Sequence, residues 1–468
     1  MFTKLVWSLK ILSLVVISGC THYSDQDVWV GQVPLGQEFQ TYQAPPVRPS
    51  IILDTPEAPE PNGVMTLSEA LAMALMHNPE LRAFSWELRV SEARQLQERP
   101  LPNPELQVEV EEVGGTGERT DFDGAETTIQ LSQLIELGDK RAKRIKVAEL
   151  EKELARWDYE AKRLDVFTDV TKSFVDVLAA QERIELMEEL VRLSERVLNA
   201  VGQRVAAGKD SPVEQIKARV TLASAQIQFE KAKRNLEAAR RRLSATWGGR
   251  SPAFERAVGR FYLTSPVPSF AEVTSLINQN PDVARWAVEM GQRRAALELA
   301  KAKAIQDLKL SGGMQRFNET DDNALVFGLS IPLPVFDRNQ GKIREATYRL
   351  VKAEEKRKAV ETNVRSALSE AMRMLSSAFT EATLLKNDIL PGAQSAFEVT
   401  SQGYREGKFD YLAVLDAQRT FFEAKARYVE ALATYHRAKA DVERLIGRGI
   451  DTLEKVQKEN EVEGQSDE

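Results

Sequence analysis

The stretch HNPEL at residues 77–81 returns as QNPDV at residues 279–283, so an Asn-Pro pair recurs at an offset of 202 residues (280 − 78). Three other pairs of short strings keep nearly the same spacing: PELQV at 104–108 with QDLKL at 306–310, LS at 131–132 with 329–330, and GK at 208–209 with 407–408. Each copy predicts the order helix, strand, strand, long helix, turn, helix. Solenoid repeats have periods of about 20–50 residues, so we expect a duplicated unit of long helices and a few strands.

The predicted helices are too long for a small globular core. Residues 139–201 contain neither proline nor glycine, and as one helix they would be about 95 Å long at ~1.5 Å per residue. Apolar residues such as Leu164, Phe167 and Val170 form a stripe at three- and four-residue steps. In the second copy, residues 339–390 form the matching helix, and Pro391 marks a joint. Such stripes need neighbouring long helices, as in a helical barrel or in a plain antiparallel coiled-coil rod.

A tight turn follows each long helix. In the first turn Gly208 suits the position just past a helix end, Ser211 an N-cap and Pro212 the first helical residue. The helix after it is expected over residues 213–247, with Ile216, Val220, Ala223 and Ile227 on one face. The second turn reads GKFD at 407–410, and its returning helix is expected to end near residue 446, before two glycines.

The strand segments alternate apolar and mostly polar residues with period two, the pattern of a sheet with one apolar face. Leu106, Val108 and Val110 form one such row. The longest row consists of Leu325, Phe327, Leu329, Ile331 and Leu333. Segments of this kind suit transmembrane β-strands of about 9–11 residues. A water-soluble sheet covered by helices is the alternative interpretation.

Four strands per chain cannot form a stable membrane structure alone. A sheet with free edges leaves unpaired backbone groups in lipid, and barrels close from about 8 strands upward. Pooling the strands of three chains gives 12. The predicted fold is therefore a mixed α and β membrane protein, a trimeric 12-stranded β-barrel with four strands per chain, continued by a long α-helical barrel and built from an internal duplication.

The N-terminus resembles a bacterial lipoprotein signal. Lys4 precedes a short apolar run that ends ISGC at residues 17–20, and Cys20 is the only cysteine among the 468 residues. Cleavage before Cys20 would make it the acylated first residue of the mature protein. Thr21 follows it, whereas an Asp there would signal retention at the inner membrane, so an outer-membrane location is expected. An ordinary signal peptide is the alternative.

Composition divides the chain into five segments. Residues 1–19 are the predicted lipoprotein signal peptide, and 20–65 are a proline-rich N-terminal arm that we expect to lie along the body. The two structural repeats are expected over 66–265 and 266–450. Residues 451–468 form an acidic tail that is predicted to be disordered. The net charge of −7 argues against a nucleic-acid partner.

The chain resembles the TolC-type outer-membrane factors, the exit ducts of tripartite efflux systems. The resemblance covers residues 66–447 and rests on LSEA at 67–70 leading to NPEL at 78–81, on the duplication and on the two turns. The strings LSQLIELGDKR at 131–141 and IPLPVFDRNQG at 331–341 are similar to the heavy-metal branch, which exports cobalt, zinc and cadmium or copper and silver.

This resemblance implies a homotrimer in outer-membrane lipid that extends into the periplasm and carries a lipid anchor at Cys20. Its partners would be a periplasmic adaptor, or membrane fusion protein, and an inner-membrane RND pump driven by protons. The adaptor would meet the tips at Gly208, Lys209, Gly407 and Lys408. The passive duct would export heavy-metal cations, or alternatively toxic organic compounds.

Carboxylates near the tips are candidates for an aperture ring. In TolC-like chains an Asp-x-x-Asp motif after the second turn surrounds the closed aperture. The matching stretch here is AVLD at 413–416, so Asp416 fits the second position and Ala413 departs from the first. Asp410, Asp210 and Glu214 are the other candidates, although each is also a normal residue near a helix start.

The sequence shows no catalytic constellation, so no enzyme activity is predicted. The three histidines, His22, His77 and His436, lie far apart, and none has metal-ligand spacing to a second His or Cys. We therefore predict no cofactor and no metal site. The alternative is a structural protein, a periplasmic lipoprotein coiled-coil rod with a tethering role.

Overall fold

The computed structural model describes residues 35–45 and 60–451, and these residues belong to one compact unit. The predicted signal peptide, Cys20 and the acidic tail beyond residue 451 lie outside the described residues. Residues 35–45 of the arm lie along the helices. The Leu35 N–H donates to the Gly447 carbonyl at 2.9 Å, the Tyr42 N–H to the Leu75 carbonyl at 3.0 Å, and the Ala44 N–H to Ser85 Oγ at 2.7 Å.

The elements repeat in the expected order. In the first half they are β1 (Gly63–Thr66), α1 (Leu67–His77), α2 (Pro79–Gln97), β2 (Glu105–Glu111), β3 (Glu126–Ile135), α3 (Lys140–Ala206) and α4 (Pro212–Ala245). The strand β4 (Phe254–Val258) follows α4, within the predicted bounds of the first repeat. In the second half they are α5 (Phe270–Ser275), α6 (Pro281–Ala302), β5 (Leu308–Phe317), β6 (Asp322–Ser330), α7 (Gln340–Leu384), α8 (Leu390–Arg405) and α9 (Tyr411–Ile446). Short 3₁₀ turns lie at Gly117–Arg119 and Ile277–Gln279.

The two Asn-Pro pairs perform the same structural task. Asn78 caps α2 by accepting the Leu81 N–H at 2.8 Å, and its Nδ2 donates to the Thr246 carbonyl at 2.7 Å. Asn280 caps α6 by accepting the Asp282 N–H at 2.7 Å, and its Nδ2 donates to the Leu445 carbonyl at 2.9 Å. Each asparagine thus ties the start of one helix to the end of the returning helix of its own copy, which explains why the pair recurs.

The long second-copy helix is interrupted once. Residues Leu385–Ile389 form a π-helical turn between α7 and α8, directly before the helical turn that contains Pro391. Proline has no N–H to donate to the preceding turn, and a widened turn of this kind keeps the helix continuous. The joint predicted at Pro391 is therefore a local π segment and not a break.

Four strands form one antiparallel sheet in the order β2-β3-β5-β6. Val108 pairs with Ile129, Ile129 with Met314, and Met314 with Leu325, so one apolar row crosses the whole sheet. The apolar side chains on this face are exposed to the surroundings of the single chain. The predicted alternation is confirmed, but the predicted row from Leu325 to Leu333 extends too far. β6 ends at Ser330, before Pro332, which has no N–H for a ladder.

A second small sheet was not predicted. β1 and β4 pair in parallel, with Met65 opposite Ala257, and both of these residues are buried in the largest apolar cluster. These strands are short, 4 and 5 residues, and they come from distant parts of the chain. Each strand is too short to show an alternating pattern in the sequence. Their pairing depends on the helices that surround them.

The α4 helix buries a different face from the expected one. Four alanines at seven-residue spacing, Ala218, Ala225, Ala232 and Ala239, are buried. Small residues at this spacing allow the helices to approach closely. The predicted face carries Ile216, Val220, Ala223 and Ile227, which are exposed in the single chain.

Candidate functional site

The turns between α3 and α4 and between α8 and α9 lie side by side and form the tips of the two helix pairs. Both end their helices with the same hydrogen-bond pattern, the Schellman motif. In the first turn the Gly208 N–H donates to the Val205 carbonyl at 3.0 Å and the Lys209 N–H to the Arg204 carbonyl at 2.9 Å. In the second turn the Gly407 and Lys408 N–H groups do the same, at 3.0 and 2.8 Å.

Both tip glycines have a left-handed backbone, with φ of +70° at Gly208 and +80° at Gly407. A Cβ at either position would meet no atom within 4 Å, so any substitution there is opposed by backbone strain and not by a neighbour. Lys209 and Lys408 are exposed, and Lys408 pairs with Glu406 at 2.6 Å. The four predicted docking residues therefore form an open surface with a fixed backbone.

The returning helices start with side-chain caps. Ser211 accepts the Val213 N–H at 3.3 Å, and Pro212 is the first residue of α4, as the sequence predicts. Asp410 caps α9 by accepting the Ala413 N–H at 2.9 Å. One of the four aperture candidates is thus engaged by a helix start.

Asp210 joins the two tips. Arg204 donates its Nε–H to Asp210 Oδ2 at 2.8 Å and its Nη2–H to Oδ1 at 3.0 Å, a bidentate pair. The Tyr404 hydroxyl donates to Asp210 Oδ2 at 2.5 Å, and Arg204 Nη1–H donates to the Tyr404 carbonyl at 3.1 Å. The Arg204 guanidinium also lies 4.6 Å from the centre of the Tyr404 ring. Two helix pairs from different halves of the chain are therefore held by one charged network.

The network keeps Asp210 ionised. The hydrogen bonds from Arg204 hold the pKa of the Asp210 carboxyl below its ordinary value, and the bond from Tyr404 acts in the same direction. Burial, followed by the neighbouring Asp210 carboxylate, raises the pKa of the Tyr404 hydroxyl. The Asp210 side chain is only 8% exposed. It is therefore a mostly buried, hydrogen-bonded carboxylate, and its place in an aperture ring stays a prediction.

Glu214 lies in the first turn of α4, near two other carboxylates. Burial raises the pKa of its carboxyl, and the charges of Asp210 and Asp410 raise it further. Its Oε2 atom is buried and accepts no hydrogen bond from any residue in the described part of the chain. The structure thus brings Asp210, Glu214 and Asp410 together at the tip.

Asp416 stands apart from those three. It is exposed on α9, where it pairs with Arg419 at 3.0 Å. Both residues line a groove of about 680 Å³ between α3, α4 and α9, together with Arg183 and Glu423. Within residues 35–45 and 60–451, no hydrogen bond or ion pair joins Asp416 to the other aperture candidates.

Sequence reasoning missed Arg204 and Tyr404, the two residues that connect the tips. They lie 200 residues apart, and neither belongs to a recognisable motif. The only available signal was the alignment of the two GK turns, which places the residues just before each turn at one end of the molecule.

Histidine and carboxylate clusters of the metal-binding kind are absent from the described residues. His77 ends α1, and His436 is half-buried with its Nε2 2.8 Å from the Phe261 carbonyl oxygen. Among the described helices, none is both long and apolar enough to cross a membrane.

Comparison with known proteins gives a consistent result. The profile of the family described as outer membrane efflux protein matches residues 70–249 and 273–448. The chain is 38% identical over 389 residues to the cobalt-zinc-cadmium resistance protein CzcC of Cupriavidus metallidurans, covering 83% of this chain and 91% of that relative. It is 25% identical to the nickel-cobalt-cadmium resistance protein NccC of Alcaligenes xylosoxydans xylosoxydans, over 69% of this chain and 71% of that one.

The fold is also that of a solved structure. A crystal structure of CusC, described in terms of folding and transmembrane channel formation, matches with a TM-score of 0.70 at 17% identity. The match covers 82% of this chain and 92% of that one.

Proposed function

The chain belongs to the outer membrane efflux protein family, and from that premise we propose that three copies form the exit duct of a tripartite system that exports heavy-metal cations. The duct is passive and is energised by an inner-membrane RND pump. A periplasmic adaptor connects the two by docking at the tips around Gly208, Lys209, Gly407 and Lys408.

The observation that carries the proposal is the open-edged amphipathic sheet. β2 and β6 are its edge strands, and neither has a partner on its outer side among the described residues. Leu106 of β2 and Phe327 of β6 lie on the apolar face and are exposed. Lipid tolerates such a sheet only if its edges close onto other copies, and three copies supply the 12 strands of a barrel with an aqueous lumen.

The opposite face of the sheet suits a lumen for cations. Glu109 and Glu111 of β2 alternate with the apolar row, and Glu111 pairs across the ladder with Glu126 of β3. Gln315 donates to Glu126 at 2.6 Å on the same face. Carboxylates around a water-filled passage attract cations by their field without forming a tight site.

The exposed stripe on α4 supports the helical part of the duct. Val213, Ile216, Val220 and Ile227 are all exposed and form an apolar strip along α4. Strips of this size on a soluble surface mark interaction sites. A neighbouring copy whose helices cover the strip would continue the wall of a helical barrel, whereas an isolated rod would leave it in water.

The cargo is inferred from the relatives. CzcC and NccC carry names that refer to cobalt, zinc, cadmium and nickel resistance. Substrate choice then belongs to the pump and adaptor, since the described residues hold no metal-binding cluster. Cys20, outside the described residues, is proposed to carry the lipid anchor in the outer membrane.

Charge substitutions on neighbouring residues of β6 test the membrane barrel. Phe327→Arg places a charge on the apolar face, where a lipid-facing Arg costs about 2–4 kcal/mol near the midplane, and outer-membrane trimer should be lost. Val326→Arg, on the opposite face, is the matched control and should still assemble. Equal assembly of both variants in isolated outer membranes would refute the barrel.

The cargo is tested by growth of a deletion strain that carries the gene on a plasmid. Complementation should restore growth on cobalt, zinc or cadmium salts but not on toxic organic solutes. Restoration on the organic solutes alone would assign the duct to organic export.

A further inference from the structure

The junction between β6 and α7 is longer than its counterpart in the first copy. Residues 331–339 connect β6 to α7, whereas residues 136–139 connect β3 to α3. The longer junction begins with the segment 331–336, called the ledge below. Phe336 is 92% exposed and Leu333 80% exposed, and Ile331 and Val335 are also exposed. Large apolar side chains displayed in this way are typical of an interaction surface.

The shorter junction is tied to its own chain. The Leu137 N–H donates to Asp307 Oδ1 at 2.9 Å, and Lys140 pairs with the same carboxylate at 2.6 Å. Glu136 pairs with Arg144. These polar contacts tie the first junction to α3 and to the start of β5. Its apolar side chain, Leu137, is 39% exposed, much less than Phe336 in the second junction.

The ledge has a fixed shape. Arg338 donates its Nε–H to the Pro334 carbonyl at 3.2 Å, and Gln340 Nε2 donates to the Phe336 carbonyl at 3.3 Å. The Asn339 N–H donates to Asp337 Oδ1 at 2.8 Å, and its Nδ2 donates to the Ala300 carbonyl at the end of α6 at 2.6 Å. The junction is therefore held by local hydrogen bonds and by one bond to α6, while its apolar side chains are exposed.

Two features indicate what covers the ledge. Its apolar residues follow directly on Leu325, Phe327 and Leu329, the lipid-facing row of β6 in the proposed barrel. Exposed cations come next, Arg338, Lys342 and Arg344, of which Lys342 pairs with Glu345. An apolar segment followed by basic residues is the pattern of a membrane interface, where aromatic side chains enter the acyl boundary and basic ones reach the phosphates.

We propose that the ledge is an interfacial anchor in the inner leaflet of the outer membrane. Leu333 and Phe336 insert at the boundary between headgroups and acyl chains, and Arg338 contacts phospholipid phosphates. The inference rests on the proposed function, because it takes the apolar face of the sheet to be the lipid face. Three ledges in a trimer would set the depth of the barrel in the bilayer at its periplasmic end.

Tryptophan substitution tests the anchor in the full-length trimer, reconstituted in vesicles of phosphatidylethanolamine and phosphatidylglycerol. Phe336→Trp adds one indole, and its emission is obtained by subtracting the spectrum of the parent protein. We expect a blue-shifted emission that is largely lost when the lipids carry brominated acyl chains. Leu333→Trp provides a second position if Phe336→Trp assembles poorly.

Two controls separate the possible failures. Leu329→Trp reports on the strand face, and Phe409→Trp reports on the tip, which should not respond to brominated lipid. If brominated lipid quenches Leu329→Trp but neither Phe336→Trp nor Leu333→Trp, the lipid anchor at the ledge is refuted while the barrel stands. If the emission of Phe336→Trp and Leu333→Trp is then still blue-shifted, the ledge is covered by a neighbouring copy instead of lipid. If Leu329 is also unquenched, the proposed barrel itself is refuted.

Discussion

The Tyr404 hydroxyl donates a hydrogen bond to the Asp210 carboxylate at 2.5 Å, across 194 residues of sequence. The bond joins the end of α8 to the turn after α3, so it connects the two halves of the duplicated chain at their tips. Arg204 completes the network from the α3 side. Any separation of the two tips has to break these bonds first.

Removing parts of this network should loosen the tips in a defined order. Tyr404→Phe loses one hydrogen bond to a charged group, worth about 1.5–3 kcal/mol, and keeps the ion pair with Arg204. Arg204→Gln removes that bidentate ion pair and leaves a mostly buried carboxylate without its countercharge. We expect both variants to have a higher conductance in planar bilayers than the parent, and Arg204→Gln to have the highest. Tyr428→Phe, far from the tips, serves as the control. Parent-like currents in both tip variants would contradict a closing role.

Substitutions at Gly208 should separate backbone strain from docking. A left-handed φ costs a residue with a Cβ about 1–2 kcal/mol, and the open space around Gly208 makes this strain similar for Ala and Glu. Only Glu adds a long charged side chain to the proposed adaptor surface. We expect Gly208→Glu to reduce metal resistance with the trimer intact and Gly208→Ala to retain most of it.

The same pair of substitutions at Gly407 should behave alike, since its turn has the same geometry. Gly392→Ala, in the first turn of α8 where no neighbour lies within 4 Å, is the control for glycine replacement. Equal loss of resistance in the Ala and Glu variants would assign the effect to folding and not to docking.

Glu214 gives the tip a pH dependence of known sign. Burial and the charges of Asp210 and Asp410 raise its pKa above the ordinary 4.5, so the ionised form destabilises the folded tip at pH values above that raised pKa. We expect Glu214→Gln to raise the unfolding midpoint of the trimer at pH 7, and the gain to shrink as the pH falls toward 4.5. Glu398 is an exposed carboxylate on α8, and Glu398→Gln should leave the unfolding midpoint unchanged at both pH values. A constant gain at all pH values would exclude titration of Glu214 as its cause.

Asp416 should influence permeation without influencing stability. Its pair with Arg419 is exposed, and such pairs contribute about 0–1 kcal/mol. Three copies around one axis would nevertheless create a ring of charge. We expect Asp416→Asn to reduce the share of current carried by divalent cations in planar bilayers. Glu423→Gln, which lines the same groove two turns further along α9, should have a smaller effect; equal effects would point to the groove as a whole.

Much of the architecture was predictable because local chemistry decides it. Gly208, Ser211 and Pro212 occupy the predicted turn positions, since only glycine adopts the left-handed φ easily and proline suits a helix start. The strand face follows from alternation, and the duplication follows from the repeated asparagine caps. The end of β6 was misplaced because apolar alternation continues through Ile331 and Leu333, although Pro332 prevents the ladder from continuing.

The candidate site was only partly predictable. Asp210, Glu214 and Asp410 were recognised as carboxylates near the turns, but the sequence does not distinguish a bonded carboxylate from a free one. Tyr404 reads as an ordinary residue before a turn. Only the side-by-side position of the two helix pairs shows that it is bonded to Asp210 and that Asp416 faces a separate groove.

The sequence by itself determined the long helices, their turns and the faces of the four longer strands, because each of these depends on residues within a turn or two of one another. The tertiary structure alone decided which residues meet across the two halves: Tyr404 with Asp210, the small sheet of β1 and β4, and the alanine face of α4. Contacts between distant segments depend on how the helices approach one another, and side-chain spacing along one helix does not contain that information.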